Sequence, residues 1–214
     1  MEKIELKQTL PSVFAGQNDV YSDIWHKQVE FIKGQSYLIE AASGTGKSSL
    51  CSFIYGYRKD YQGIICFNGE NIRNLSSKDW DNIRQNSIGM MFQELRLFGE
   101  LTAGENVLLK NNLTSFREIS QIKQWFDELG IADKWTEPVS KMSFGQQQRV
   151  AFIRMLCQPA EFLFLDEPVS HLDEDNGRIM SSILDSEIKK RGIGVIVTSI
   201  GHRLEMNYSN ILKL

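Results

Sequence analysis

The fold of this chain is decided by one stretch, Ala-Ala-Ser-Gly-Thr-Gly-Lys-Ser at residues 41–48. The apolar segment 37–41 before it predicts a strand, and residues 48–57 after it predict a helix. In such a strand–loop–helix unit, backbone N–H groups of the loop and of the helix N-terminus cradle phosphate oxygens. Lys47 is placed to reach the β- and γ-phosphates of a nucleotide, and the Ser48 hydroxyl to bind Mg²⁺. The sequence therefore predicts a phosphate-binding loop rather than an ordinary Gly/Ser turn.

Ala41 is a departure from the usual loop pattern, G-x-x-x-x-G-K-[ST], which has glycine at its first position. A methyl group is tolerated there if the backbone keeps φ below zero, and it is expected to tighten the loop. Gly44 and Gly46 keep side chains out of the phosphate site. The loop is therefore expected to work despite the substitution.

A pair of carboxylates follows a second apolar segment, Phe-Leu-Phe-Leu-Asp-Glu-Pro at residues 162–168. In a parallel sheet these acids emerge at the carboxyl edge, where ligands bind. We expect Asp166 to hold Mg²⁺ through its water shell and Glu167 to orient or deprotonate an attacking water. The alternative is a strand that ends in a solvated acidic turn.

Further apolar segments and amphipathic stretches alternate along the chain and indicate an α/β fold with a buried parallel sheet. Strands are predicted at 63–68, 88–92, 162–165 and 194–198, and a helix at 78–85 capped by Ser77. Helices without intervening strands are predicted at 103–110, 116–129 and 144–158. We therefore expect an α/β core, residues 1–94 and 159–214, with an inserted α-helical lobe, residues 95–158.

Composition excludes several classes of protein. Apolar residues make up 42% of the chain and charged residues 24%, which excludes extensive disorder, and the net charge of −3 gives no field for nucleic acid. The three separated cysteines are expected to be buried, reduced thiols. No signal-peptide core and no apolar run of membrane-spanning length is present, so we expect a membrane role only through a partner.

A third motif, Met-Ser-Phe-Gly-Gln-Gln-Gln-Arg at residues 142–149, resembles the signature of the ATP-binding cassette (ABC) ATPases, Leu-Ser-Gly-Gly-Gln. Ser143 is also a good N-cap for the helix that follows. The segment 101–107 is similar to the lipoprotein-release, macrolide-export and cell-division branch of that family. The resemblance covers about residues 4–214 and implies a P-loop nucleotide-binding core with an inserted α-helical signature lobe.

Other segments match family motifs in chain order. Met91-Phe92-Gln93 resembles the Q-loop, and Ser170-His171-Leu172-Asp173 resembles the D-loop. The family stacks an aromatic residue on adenine well before the phosphate loop, which points to Phe14, with Tyr21 as the alternative and a core aromatic as a third possibility. His26 and His171 are expected to be surface residues.

The resemblance implies roles for these positions. The catalytic residues would be Glu167, Gln93 and Lys47, and the Mg²⁺ ligands Ser48, Gln93 and Asp166. The nucleotide-binding residues would be Phe14, Ala41, Ala42, Ser43, Gly44, Thr45, Gly46, Lys47, Ser48 and Ser49, with Ser143, Gly145 and Gln146 acting on the nucleotide of a second copy.

Two further departures bear on the rate of hydrolysis. Phe144 replaces the first signature glycine, and Ser199 stands where the family has its switch histidine. His202 is the nearest histidine, and we expect it to be solvated on the next helix. It would replace the switch only if the turn at 200–201 folds back, which Gly201 allows. Slow hydrolysis by the isolated chain is therefore expected.

The resemblance implies an ATP- and Mg²⁺-dependent ATPase that dimerises head to tail and powers or gates an integral membrane permease from the cytoplasmic face. The alternative is a weakly hydrolysing regulatory module that signals through a membrane partner, as cell-division cassettes do. A nucleic-acid-linked cassette is disfavoured. The apolar residues Met90, Met91, Leu95, Leu97 and Phe98 form either a surface for a partner helix or part of the core.

Overall fold

The structure is a computed structural model that describes residues 1–16 and 21–214. The strands of the described chain are β1 (Lys3–Pro11), β2 (Gln28–Ile32), β3 (Ser36–Glu40), β4 (Tyr61–Phe67), β5 (Glu70–Asn71), β6 (Ile88–Met91), β7 (Phe162–Asp166), β8 (Gly194–Ser199) and β9 (Asn210–Lys213). The α-helices are α1 (Lys47–Ile54), α2 (Ser77–Asn86), α3 (Ala103–Asn111), α4 (Ile119–Glu128), α5 (Phe144–Leu156) and α6 (Glu174–Arg191).

A parallel sheet in the order β6-β7-β8-β3-β9 forms the centre of the molecule. All residues of β6, β7 and β8 are buried, which explains why these strands read as continuous apolar runs. The α/β fold with a buried parallel sheet is thereby confirmed. The phosphate loop follows β3 and the carboxylate pair ends β7, so both motifs lie at the carboxyl edge of this sheet.

A second, antiparallel sheet in the order β2-β1-β4-β5 was not expected from the sequence. Strand β1 pairs with both β2 and β4, and its register with β4 shifts between Lys7 and Leu10. Ile4 and Leu6 on β1 are fully buried. These two residues alternate with charged residues, and such alternation is the sequence pattern from which this strand could have been predicted.

The central sheet carries a hydrophobic core on each face because alternate residues of a strand point to opposite sides. Leu163 and Leu165 of β7 join a cluster with α3, α4, α5 and α6. Phe162 and Phe164 join a second cluster with α1 and the antiparallel sheet. The three cysteines are free and buried, as predicted.

Within residues 95–158, all of which are described, the regular elements are helices and 3-10 turns. Helix α4 begins at Ile119, not at residue 116, because Asn111 holds the preceding segment by two side-chain hydrogen bonds to the backbone of Arg117. These helices share one core with the sheet. Among all helices of the described chain, none combines the length and apolar composition needed to cross a membrane.

Two other expectations are wrong. Helix α2 is capped by Ser76 rather than Ser77, because Ser76 and Asp79 form a reciprocal capping box. No helix follows β8; residues 200–209 are irregular and lead to β9. Gly201 has φ of +86°, which breaks a helix at this point.

Candidate nucleotide site at the carboxyl edge of the parallel sheet

The phosphate loop links β3 to α1 in the way its sequence predicts. Gly44 and Gly46 have φ of +82° and +98°, in the left-handed region that favours glycine. Ala41 lies outside that region, and its N–H donates to the carbonyl of Ser199 at 3.2 Å. An alanine at the first loop position is therefore compatible with the backbone.

Two aromatic side chains enclose Gly46. A Cβ at this position would lie 3.1 Å from the ring of Trp25 and 3.2 Å from the ring of Phe14. The Trp25 indole N–H also donates to the carbonyl of Thr45 at 3.0 Å. Phe14 is half-buried beside the loop, whereas Tyr21 is 92% exposed. Trp25 supports the loop from the core, a role that no local motif in the sequence indicates.

The side chain of Lys47 is buried and folded back over its own loop. Its ammonium donates to the carbonyl of Ala42 at 3.2 Å and lies 3.6 Å from the Glu167 carboxylate. With only 5% of its surface exposed, this cation is held within the site rather than in solvent. The structure thus brings together two predicted catalytic residues that are 120 positions apart in sequence.

The two acids after β7 differ in their environment. Asp166 is buried and accepts a hydrogen bond of 2.6 Å from the Thr198 hydroxyl on β8. Glu167 has φ of +52°, which is uncommon for a residue with a side chain, and its N–H donates to the Thr198 carbonyl at 3.2 Å. Backbone strain of this kind concentrates at functional sites. The solvated acidic turn is therefore disfavoured.

At the start of α5, Ser143 and Gln146 form a reciprocal capping box. The Ser143 hydroxyl accepts from the Gln146 N–H at 3.3 Å, and the Gln146 side-chain oxygen accepts from the Ser143 N–H at 2.9 Å. The predicted N-cap is thus confirmed. No hydrogen bond in the described residues joins this box to the phosphate loop.

Comparison with known proteins identifies the family. The family model described as "ABC transporter" matches residues 26–170, more than half of the chain. The chain belongs to the ABC transporter family. The matched residues span the phosphate loop, the capping box of α5 and the carboxylate pair.

Similar proteins include ATP-binding subunits. The chain is 31% identical over 176 residues to the lipoprotein-releasing system ATP-binding protein LolD 2 of Rhodopseudomonas palustris, covering 81% of this chain and 75% of the relative. It is 28% identical to the macrolide export ATP-binding/permease protein MacB of Aggregatibacter actinomycetemcomitans, covering 100% of this chain and 33% of the relative. The chain therefore spans about a third of MacB.

The fold matches solved ABC structures. The dimeric structure of the bacterial ABC transporter cassette MJ0796 has a TM-score of 0.78 at 24% identity, covering 92% of this chain and 87% of that one. The ADP- and phosphate-bound structure of the same cassette has a TM-score of 0.74 at 23% identity, covering 92% and 87%. The resemblance drawn from the sequence is thereby confirmed, and the chain is an ABC-type ATPase cassette.

The signature segment of this cassette contacts the segment that resembles the D-loop. The exposed Phe144 ring packs edge-on against the exposed His171 ring, with centroids 4.5 Å apart. A Cβ at Gly145 would lie only 3.0 Å from the His171 carbonyl, so glycine allows this close approach. His26 is exposed as well, and both histidines are surface residues as expected.

The buried side chain of Gln148 links the signature segment to the segment that resembles the D-loop. The sequence analysis did not predict this contact. The side-chain nitrogen of Gln148 donates to the Ser170 hydroxyl at 3.2 Å, and its side-chain oxygen has no hydrogen-bond partner in the described residues. Ser170 is in turn 2.9 Å from Nδ1 of His171. The glutamines that follow the signature indicate the family, but they do not predict this contact.

The predicted switch position is occupied by a buried serine. The Ser199 hydroxyl donates to the backbone carbonyl of His202, which folds the chain back through Gly201. The His202 side chain remains exposed. Gln93 is exposed just beyond the end of β6, at the same sheet edge.

The apolar stretch 90–98 divides between core and surface. Met91 and Leu95 belong to the core, and Leu97 packs against it. Met90 belongs to the second core cluster and also lines a cleft of about 330 Å³ between β6, α3 and α5, where Phe98 is 59% exposed. Of the five apolar residues, Phe98 is therefore the one that the fold leaves exposed.

Proposed function

We propose that this cassette is the ATP-hydrolysing subunit of a membrane transport complex. The observation that carries the proposal is the 3.6 Å approach of the Lys47 ammonium to the Glu167 carboxylate at the carboxyl edge of the parallel sheet. A phosphate-binding cation and a water-activating carboxylate in one site are what nucleotide hydrolysis requires. No observation specifically favours the regulatory alternative.

Nucleotide binding would exchange the partners of Lys47. In the structure its ammonium donates to the Ala42 carbonyl and pairs with the Glu167 carboxylate. Phosphate oxygens carry more negative charge and would replace both partners. Glu167 would then be free to orient a water molecule and accept its proton. The backbone of residues 41–46, with Ser48 and Ser49, would hold the phosphates, and Phe14 would stack on adenine.

Mg²⁺ fits the side chains at this edge. Ser48, Gln93 and Asp166 offer oxygen atoms, which Mg²⁺ prefers. No group of three or more His, Cys, Asp or Glu that would hold a metal occurs in the described residues. That suits an ion that keeps several waters and takes its other ligands from substrate phosphates. When bound, the ion would neutralise charge on the β- and γ-phosphates.

The capping box of α5 would act on a second copy of the chain. Ser143, Gly145 and Gln146 have no hydrogen bond to their own phosphate loop in the described residues, and Ser143 is exposed. A helix N-terminus favours an anion. Two copies arranged head to tail would thus enclose each ATP between one phosphate loop and the other copy's Ser143.

A membrane permease would be the transport partner, with the cassette peripheral at the cytoplasmic face. LolD 2 is named as part of a lipoprotein-releasing system, and MacB as an ATP-binding/permease protein. The cleft beside Phe98 would receive the permease. The residues 95–158 would form the helical lobe that carries both this cleft and the capping box.

Steady-state phosphate release by the purified chain tests the proposal. We expect MgCl₂-dependent release from ATP that EDTA abolishes and that the Glu167→Gln variant lacks. ATP should also shift the Glu167→Gln variant toward a dimer in light scattering. Phosphate release equal in wild type and Glu167→Gln, with no ATP-dependent dimer, would contradict it.

A further inference from the structure

The cleft beside Phe98 has an unusual charge. Arg96 follows β6, Lys110 lies on α3 and Arg154 lies on α5, and all three line the cleft. The guanidinium of Arg84 on α2 lies next to the cleft, 5.2 Å from the ring centroid of the lining residue Tyr57. The chain as a whole carries a net charge of −3. Positive charge is therefore concentrated here against the overall balance.

Two of these cations, Lys110 and Arg154, are half-buried. Within the described residues, the Arg154 guanidinium donates to the backbone carbonyls of Leu95 and Arg96, at 2.6 and 2.7 Å, and to no other group. Neither Lys110 nor Arg154 forms a salt bridge with any carboxylate in the described residues. Burial, with the charge of Arg154 as a smaller cause, lowers the pKa of Lys110 to about 8. Burial also lowers the pKa of Arg154.

Two aromatic rings that line the cleft contact the Arg96 guanidinium. The rings of Tyr57 and Phe92 stack with centroids 5.6 Å apart and planes at 17°. Arg96 lies over both, 3.8 Å from the centroid of Phe92 and 4.9 Å from that of Tyr57. Among the residues that the structure describes, the one carboxylate paired with Arg96 is that of Glu94, at 3.9 Å and 72% exposed. Such an exposed pair contributes little, so the cleft remains short of negative charge.

We propose that this cleft binds a carboxylate side chain presented by a cytoplasmic segment of the membrane-protein partner, with Lys110 and Arg154 as its ligands. The inference rests on the proposed function, which supplies the membrane partner. Charge complementarity selects an acidic residue, because a carboxylate would pair at once with two half-buried cations that have no carboxylate partner in the described residues.

Apolar neighbours indicate a peptide segment rather than a free anion. Phe98 is 59% exposed and Leu109 47% exposed at the cleft, and an inorganic anion would leave both in water. A volume of about 330 Å³ lies near the lower end of the ~300–1,000 Å³ range of ligand sites, which suits a few side chains. The partner segment is therefore expected to place its acidic residue between apolar residues.

Zero-length crosslinking tests the proposal in membranes from cells that produce the tagged chain. A carbodiimide activates a carboxylate, and an amine in direct contact attacks it to form an isopeptide bond and release the urea. The variants are wild type, Lys110→Arg, which keeps the charge but lacks the amine, and Lys78→Arg at an exposed position of α2. Adducts are isolated by the tag and sequenced by mass spectrometry.

We expect an isopeptide bond between Lys110 Nζ and an Asp or Glu of a membrane protein, lost in Lys110→Arg and retained in Lys78→Arg. Three results would overturn the proposal: the same adducts in Lys110→Arg, an adduct between Lys110 and a second copy of this chain, or no adduct at Lys110. MgATP turnover of the same preparations is measured in parallel. Normal turnover without the Lys110 adduct rejects only the acidic docking, whereas absent turnover rejects the proposed function itself.

Discussion

The ammonium of Lys47 and the carboxylate of Glu167 face each other at 3.6 Å across the gap between the phosphate loop and the end of β7. Lys47 is almost completely buried, and its ammonium also donates to the Ala42 carbonyl. We expect a bound nucleotide to separate the pair, because phosphate oxygens would compete with Glu167 for the Lys47 ammonium.

Replacement of Lys47 by alanine removes the buried cation of the loop. We expect turnover to fall by about 10²-fold or more, because a preorganised charge contact to the phosphates is lost. Nucleotide affinity from fluorescence titration with an ATP analogue and phosphate release are the measurements. Lys78→Ala, at an exposed site on α2, is the matched control. A folded Lys47→Ala protein with wild-type affinity and turnover would rule out the phosphate-loop assignment.

Glu167→Gln keeps the shape of the side chain and removes the base. Hydrolysis is expected to fall by about 10²–10⁴-fold, since general base catalysis contributes on that order. ATP binding should persist and trap a dimer in size-exclusion chromatography with light scattering. Glu100→Gln, at an exposed position before α3, serves as control. Retained hydrolysis would assign the base to another residue.

The switch position is tested by a gain of function. Ser199→His introduces an imidazole where the hydroxyl now donates to the His202 carbonyl. We expect faster phosphate release, by up to roughly 10²-fold, because one further donor to developing charge becomes available. His202→Ala should have little effect, since its side chain is exposed. A loss of activity in His202→Ala with ATP binding preserved would place the switch three residues along the chain.

Lys110 should titrate in the physiological range. NMR of ¹³C-labelled lysine is expected to show a midpoint of about 8 for Lys110, below its usual 10.5. Between these values the unfolded chain binds the proton that the folded chain has lost, so the free energy of unfolding rises with pH. Below pH 8 both states are protonated and this contribution no longer varies. In Lys110→Met, the free energy of unfolding measured with urea should no longer rise between about pH 8 and 10.5. A titration midpoint near 10.5 for Lys110 in the folded protein would contradict the prediction.

Two helical glycines give opposite stability changes on substitution by alanine. In Gly104→Ala the new Cβ would lie 2.6 Å from the Trp135 ring, so overpacking of about 1–3 kcal/mol is expected. Gly177→Ala on α6 places its Cβ 3.9 Å from Val169, an ordinary contact, and should gain about 0.5–1 kcal/mol. Urea unfolding measures both. Equal effects would show that α3 can move away from Trp135.

The fold and the nucleotide site were predictable where local pattern decides them. An apolar strand that runs into a glycine-rich loop, and another that runs into Asp166 and Glu167, specify their edge of the sheet because parallel strands share a polarity. The capping box at Ser143 is likewise local. The remaining motifs were assigned through family resemblance, because composition and periodicity do not identify them.

Other features depend on contacts between distant segments and left no local signal. Trp25 supports Thr45 from 20 positions earlier in the chain, and Gln148 reaches Ser170 from within α5. Helix α4 starts late because Asn111 binds the backbone of Arg117 instead of letting that residue enter the helix. The charge of the cleft arises from four separate elements that only the folded chain brings together.

Helix α5 has Ser143 at one end and Arg154 near the other, in a single run of 13 helical residues. Such a helix is about 20 Å long and stiff over that length. Because α5 packs on α3 and into the core, a displacement at the cleft would move the whole helix, including its N-terminus. The residue that would face the nucleotide of a second copy and the one that would contact the membrane partner thus lie at opposite ends of one rigid helix.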